Sequence, residues 1–299
     1  MQSSLLNMAT PVVHCQFYGH AARHLNSFDD FICVVNSEHK VDVFKRGNNR
    51  RVKTLDIEYM RYSLKIGNRL FIGTEEKRLF LVDAVSFEIL DSLQTQSYIF
   101  TLVQLDPDTV LCGQFGGFID MIRCNYSDNL IKVAEQKLPV GNIYKMVRTH
   151  NEDEFIMGCG EGLFFMTYSD LQFDLSEEKC FHGKYVTQLC QIGLSSFLVS
   201  IWNQPGVYLV ERRPGHKPEH ITDPRFNSHT TDIKPLFPEQ IAEFPYVITR
   251  NRNSINLVDI RNRHTQPLIE IRNSDLFCEK LCLTVDPDSY NMRLMYVSW

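Results

Sequence analysis

No apolar run in this sequence approaches the roughly 20 residues a helix needs to cross a bilayer, and no basic amphipathic stretch suits a membrane surface. Insertion into a membrane is therefore not expected. Basic residues are in deficit, 31 Lys and Arg against 36 Asp and Glu, for a formal net charge of −5. Duplex binding draws its affinity from phosphate neutralisation, so direct binding of nucleic acid is not expected either. The opening stretch MQSSLLNMATPVVHCQ lacks a basic segment followed by an apolar one, the mark of a secretory leader. A cytoplasmic protein is expected, with the nucleus left open.

Paired metal ligands are missing too. The nine cysteines include no CxxC, and the closest two, Cys278 and Cys282, have no His or Cys pair beside them in sequence. Structural zinc sites need two such pairs. Buried thiols acting as small hydrophobes in a reducing compartment are the expectation, with no metal and no cofactor. Helical periodicity is scarce throughout.

What is present is a repeated sentence. RLFIGTEEKRLFLVDAVSFEIL (Arg69–Leu90) reads as strand, polar turn, strand, turn, strand. FICVVNSEHKVDVFK, VLCGQFGGFIDMIR, FIMGCGEGLFFMTY, FLVSIWNQPGVYLV and VITRNRNSINLVDI repeat it in other letters. Apolar strand cores begin near Phe31, Leu70, Val110, Phe155, Phe197, Tyr246 and Leu294, at intervals of 39, 40, 45, 42, 49 and 48 residues. The segments are rich in Val, Ile, Phe, Tyr and Thr, which suits strands, and turn residues punctuate them every eight to twelve positions. An all-β chain with that period predicts a seven-bladed β-propeller of four-stranded antiparallel blades. Runs such as FLV and YLV predict second and third strands buried on both faces, each blade covered by the next.

Four strands are expected in the second unit, over Arg61–Ile66, Arg69–Gly73, Arg78–Val82 and Phe87–Leu93. The third unit repeats them over Ile99–Gln104, Thr109–Gly113, Gly117–Ile122 and Leu130–Leu138. The last unit runs out after Arg293–Trp299, while Ser3–Leu6 and Val12–Phe17 read as β segments ahead of the first unit. These N-terminal strands are expected to close the last blade, and no linker divides the 299 residues. A single domain over 1–299 follows.

LFLVDAVSFEILDSL (Leu79–Leu93) and INLVDIRNRHTQPLIEI (Ile255–Ile271) resemble the third strand, strand-ending Asp, turn and outer strand of the WD-repeat propellers, with Asp83 and Asp259 as those aspartates. Gly19-His20 in YGHAARHL stands where that family places its Gly-His pair. No strand ends in Trp-Asp, and the other units lack Gly-His. RLFIGTEEKRLFLVD and FIMGCGEGLFFM are also similar to the citron-homology propellers, which implies a link to small-GTPase pathways.

Chemistry is harder to find. The glycines of GCGEGLFF (Gly158–Phe165) lie between two strands, whereas a phosphate loop lies between a strand and a helix N-terminus. GLSSF (Gly193–Phe197) lacks the second glycine of a nucleophile elbow. Glu75 and Glu76 are adjacent in a short turn and point apart. No catalytic set is expected, and a central-channel enzyme is the weakest of the readings.

A surface remains. The turns between second and third strands, with the connections between units, are expected on one face carrying Glu75, Glu76, Gln114, Phe115, Trp202, Asn203, Arg250, Asn251 and Arg252, with Tyr98 and Tyr185 close by. Trp, Tyr and Arg are common energetic anchors of interfaces. The stretch 211–232, rich in Pro and His, is expected as a long loop, either a binding element or partly disordered, that borders that face or extends the platform from its edge. The expected function is a non-catalytic scaffold that binds other proteins within a larger intracellular complex, with a citron-homology-type GTPase-pathway module as the alternative.

Overall fold

The computed structural model describes residues 12–18, 25–28, 31–36, 38–45, 50–212, 216–221, 230–235, 246–251, 254–260, 264–270, 281–285 and 292–298. After Val12–Tyr18 (β1) the strands fall into sheets in chain order. Leu25–Phe28, Phe31–Val35, Lys40–Lys45 and Arg50–Glu58 (β2–β5) form one four-stranded sheet, and Met60–Ile66, Arg69–Thr74, Arg78–Asp83 and Ile89–Gln94 (β6–β9) the next. Ile99–Asp106, Thr109–Gln114, Phe118–Cys124 and Leu130–Lys137 (β10–β13) follow, then Ile143–Arg148, Glu154–Cys159, Gly162–Ser169 and Gln172–Cys180 (β14–β17). Val186–Gln191, Ser196–Ile201, Tyr208–Glu211 and Glu219–His220 (β18–β21) precede Thr230–Pro235, Tyr246–Asn251, Ser254–Asp259 and His264–Glu270 (β22–β25). Leu281–Val285 (β26) and Met292–Ser298 (β27) complete a three-stranded sheet with β1.

Neighbouring strands within the four-stranded sheets run antiparallel, as from β6 through β9. β27 pairs antiparallel with β26 and parallel with β1, so the expected meeting of N- and C-terminal strands in one sheet is present for Val12–Phe17. Ser3–Leu6 and Gly19-His20 lie outside the described residues. Repeated four-stranded sheets fit the propeller-like architecture expected from the sequence. Among the described residues the only helical turn is the 3-10 turn Phe115–Gly117.

Packing divides the chain into two compact units, one of residues 26–189 and the other of 1–25 with 190–299. Within the first, strand alternation is used on both faces. Leu70 and Ile72 of β7 join Cys33, Val41 and Val43 of the preceding sheet, while Phe71 between them joins Val110, Cys112 and Ile122 of the following one. Leu111 and Met121 turn the other way, onto Phe155 and Met157. Burying a side chain such as Phe71 favours folding by about 1.5–3 kcal/mol, and the middle strands β7, β8, β11 and β12 each supply such residues to two layers at once. The outer strand β9, by contrast, is largely exposed. In the second unit Leu198, Val207, Val247 and Val258 share one cluster.

Two strand starts and one expected loop differ from the sequence reading for local reasons. The outer strand of the second sheet begins at Ile89, not Phe87, because Phe87 has φ +57° and is buried edge-on against Phe31 at 4.9 Å. β12 begins at Phe118 because Gly117, with φ +83°, belongs to the turn. The stretch 211–232 is interrupted by β21, which pairs Glu219 and His220 with β20; residues 213–215 and 222–229 lie outside the described residues. Asp83 ends β8 as expected, accepting hydrogen bonds from the Val85 and Ser86 amides at 3.0 and 2.6 Å; the Ser86 bonds chiefly lower its pKa. Asp259 ends β24 and is buried.

A glycine recurs at the fifth position of β7, β11 and β15, where the next sheet presses closest. A Cβ on Gly73 would stand 2.5 Å from Cγ2 of Ile99, one on Gly113 2.8 Å from Cγ2 of Ile143, and one on Gly158 2.8 Å from Cγ1 of Val186. Ile99, Ile143 and Val186 are the first residues of the following inner strands and are fully buried, and Gly113 is approached as closely by Cγ2 of Thr101 in its own sheet, at 2.7 Å. Gly73→Ala is expected to destabilise the protein by about 1–3 kcal/mol, as overpacking does. Denaturant unfolding checks this, and an unchanged midpoint would show that the sheets are not in hard contact there.

Candidate interaction surface

In a sheet of four antiparallel strands, the start of the first, the end of the second, the start of the third and the end of the fourth share one end. In the unit of residues 26–189 that end is tied down by two repeated backbone hydrogen bonds. The residue following each second strand donates to the residue preceding the inner strand: Glu75 to Tyr59 at 3.0 Å, Phe115 to Tyr98 at 3.0 Å and Gly160 to Asn142 at 2.9 Å. The end of each outer strand donates to the residue before the third: Tyr59 to His39, Thr95 to Lys77, Leu138 to Gly117 and Gly183 to Glu161, at 2.7–3.0 Å. His39, Lys77 and Gly117 share a left-handed backbone, with φ +66°, +57° and +83°. Glycine is the residue that adopts it without penalty, so the repeat is one of conformation and not of residue type.

On this scaffold lies a connected aromatic group. The rings of Tyr98 and Phe115 are 5.8 Å apart, Phe115 and Phe100 6.5 Å, and Phe100 and Tyr144 5.4 Å. Tyr98 and Phe115 are 40% and 46% exposed. Singly exposed aromatic residues are ordinary; a chain of touching rings at one end of adjacent sheets is not. The group is held from below. Ser97 donates its amide to Oε1 of Gln114 at 2.8 Å, Gly116 donates to Oδ1 of Asn142 at 3.0 Å, and Nδ2 of Asn142 donates to the Tyr144 hydroxyl at 3.1 Å. Gly116 has φ +78°, and a Cβ on Gly117 would collide with the Leu138 carbonyl oxygen, so both glycines are needed for the turn that lifts Phe115.

Cations edge the group. Arg61 lies over the Phe100 ring, 5.1 Å from its centroid, and pairs with Glu75 at 2.6 Å. Lys145 lies 4.5 Å from the Tyr62 centroid and donates to the Tyr62 hydroxyl at 2.8 Å, joining two sheets that are not consecutive in the chain. Beneath the aromatic group Asp120, without exposed surface, faces Lys132 at 3.2 Å. Burial pushes its carboxyl pKa up, against the pull of Lys132. Lys132 also meets Glu135 at 2.7 Å. Burial raises the thiol pKa of Cys33 to about 12 and that of Cys112 well above its usual value.

The structure places the expected surface residues unevenly. It brings Tyr98 and Phe115 together. Tyr185 is exposed at the same end of the unit, beside Gly160. Trp202 and Asn203 form the turn after β19, with Trp202 half exposed and Asn203 at φ +58°. Arg250 occupies the fifth position of β23, paired in register with Asp232 and Ile255, and Arg252 lies outside the described residues. Gln114 corrects the sequence reading: it is fully buried, turned inward to hold Ser97. Phe100, Tyr144 and Arg61 were missed because an aromatic or Arg at the start of an inner strand reads as an ordinary strand residue. Among the described residues no group of three His, Cys, Asp or Glu is arranged to hold a metal ion, and no helix is long and apolar enough to cross a membrane.

No family model matches the chain, and no curated protein matches it. Among solved structures it is similar to the computationally designed protein Ika8, at 14% identity over 92% of this chain and 83% of that one, with a TM-score of 0.61. In all, 1537 solved chains match. A fold so widely shared carries no function by itself, and function has to be argued from the surface.

The buried carboxyl beneath the aromatic group gives this end of the unit a pH dependence. Because its folded pKa is raised, the folded chain holds the proton more tightly than the unfolded one, and wild-type stability falls as pH rises from about 4 through the raised value. Asp120→Asn lacks that loss. Its unfolding midpoint relative to wild type is expected to rise with pH, and parallel pH profiles for the two proteins would refute this.

Proposed function

We propose that the chain is a WD-like, seven-bladed propeller forming a single domain, and that it serves as a non-catalytic platform for other proteins within a cytoplasmic complex. Support for the architecture comes from the repeated four-stranded sheets and from the sheet shared by β1 and β27. Support for the function comes chiefly from one observation: touching, half-exposed Tyr98 and Phe115 on a turn fixed by the Phe115–Tyr98, Ser97–Gln114 and Gly116–Asn142 hydrogen bonds. Aromatic anchors already held in place lose little conformational freedom on binding. Tyr185, at the same end of the same unit, joins this proposed partner-binding set; Trp202, Asn203, Arg250 and Arg252 are proposed as partner-binding residues of the other unit.

The test compares wild type with a Tyr98→Ala/Phe115→Ala variant of the full chain. Stoichiometric partners captured by wild type are identified by cross-linking and mass spectrometry, and affinity is then measured with the purified partner. The double substitution is expected to weaken binding by about 2 kcal/mol or more while leaving the unfolding midpoint near the wild-type value, since both rings are half exposed. Undiminished affinity in a folded variant would remove this surface from the interface.

A further inference from the structure

Three aromatic rings at this end of the first unit carry a cation of the chain. Arg61 covers Phe100, Lys145 covers Tyr62, and Lys137 lies 5.1 Å from the Phe118 centroid. Among the described residues no Lys or Arg lies over Tyr98 or Phe115, although Phe115 touches the ring that Arg61 occupies. The exposed Glu76 and Glu161 stand on the corresponding turns of the two flanking sheets. A guanidinium placed on an aromatic face is attracted by the ring quadrupole, and more strongly where carboxylates stand near. Arg61, stacked on Phe100 and paired with Glu75, shows within the molecule how an arginine sits on this surface.

We propose that the Tyr98–Phe115 pair is a recognition site for an arginine side chain in a basic segment of the partner, continuing outward the stack that Arg61 begins. The proposal rests on the platform reading for the identity of the occupant's carrier, a protein. It adds the chemistry, a guanidinium on the faces of Tyr98 and Phe115, with Glu76 and Glu161 as exposed carboxylates on the turns of the two neighbouring sheets. The formal net charge of −5 suits a basic partner segment, with Arg61 and Lys145 already placed on the rings beside the site.

The test uses the full chain with carbon-13-labelled tyrosine rings, the Tyr98 resonance being assigned by its loss in Tyr98→Phe. N-acetyl-arginine methylamide is titrated against the citrulline analogue, which has nearly the same shape and no charge. A saturable shift of the Tyr98 resonance is expected with arginine, at least fivefold weaker with citrulline. Phe115→Leu keeps the apolar bulk and removes the π face, so it should reduce the arginine response several-fold while Tyr98 remains assigned and the protein folded. Equal response to both probes, no response to either, or an unchanged response in Phe115→Leu would overturn the arginine site. Any of these leaves the platform reading to be judged by partner capture with the double alanine variant. A clear arginine response beside undiminished partner affinity in that variant would show that the rings bind arginine outside the partner interface, and would overturn the assignment of the occupant to the partner.

Discussion

Close contact between successive sheets at their inner ends is the constraint on which the rest of the first unit depends. Gly73, Gly113 and Gly158 let Ile99, Ile143 and Val186 press directly against backbone. Each of those three residues begins an inner strand, and the residue just before each stands at the end of its sheet: exposed Tyr98 and Tyr185, and partly buried Asn142. The depth to which the branched side chain sinks therefore sets the height and angle of the residue above it. Core packing and the exposed surface are one problem here, solved by leaving out a Cβ at one register position.

Hydrogen bonding then makes that placement rigid. The amide of Phe115 reaches Tyr98, Gln114 reaches back to Ser97, and Asn142 spans from Gly116 to the Tyr144 hydroxyl, so two consecutive sheets hold the same turn from both sides. Further along the sheets, at their opposite end, Arg69 acts as a second clamp. It meets Asp108 at 2.6 Å, Asp128 at 2.8 Å and the Asn125 carbonyl at 3.0 Å, which joins the second sheet to two turns of the third. Charge-assisted bonds with this much convergence fix geometry more than they add stability, because the carboxylates remain partly exposed to water.

Much of this was legible in the letters. Residue spacing and the Gly, Asn and Asp turns located the strands of the second and third sheets to within one or two residues in most places, because a strand buried on both faces has to be written as an apolar run. Phe87 was misread since nothing in VSFEIL distinguishes a strand residue from a ring wedged against Phe31. Gln114 was misread because a polar residue at a turn looks solvent-facing, while here its amide replaces a missing backbone partner for Ser97. The left-handed backbone shared by His39, Lys77 and Gly117 left no trace at all, since three unlike residues adopt it. Tyr98 and Phe115 were placed on the expected face by their positions at strand ends, but their contact joins the ends of separate strands and no local pattern records it.

The buried thiols carry a consequence for how the molecule can be watched. Cys33, Cys112, Cys124 and Cys159 are spread over three sheets of the first unit, and desolvation keeps each protonated well above neutral pH, Cys124 up to about 11. The thiolate is the reactive form, so each sulfur is chemically silent while its own sheet stays packed. Time-resolved alkylation followed by peptide mapping would turn these four native positions into clocks, each reporting how often its layer opens, with no label added and no residue changed.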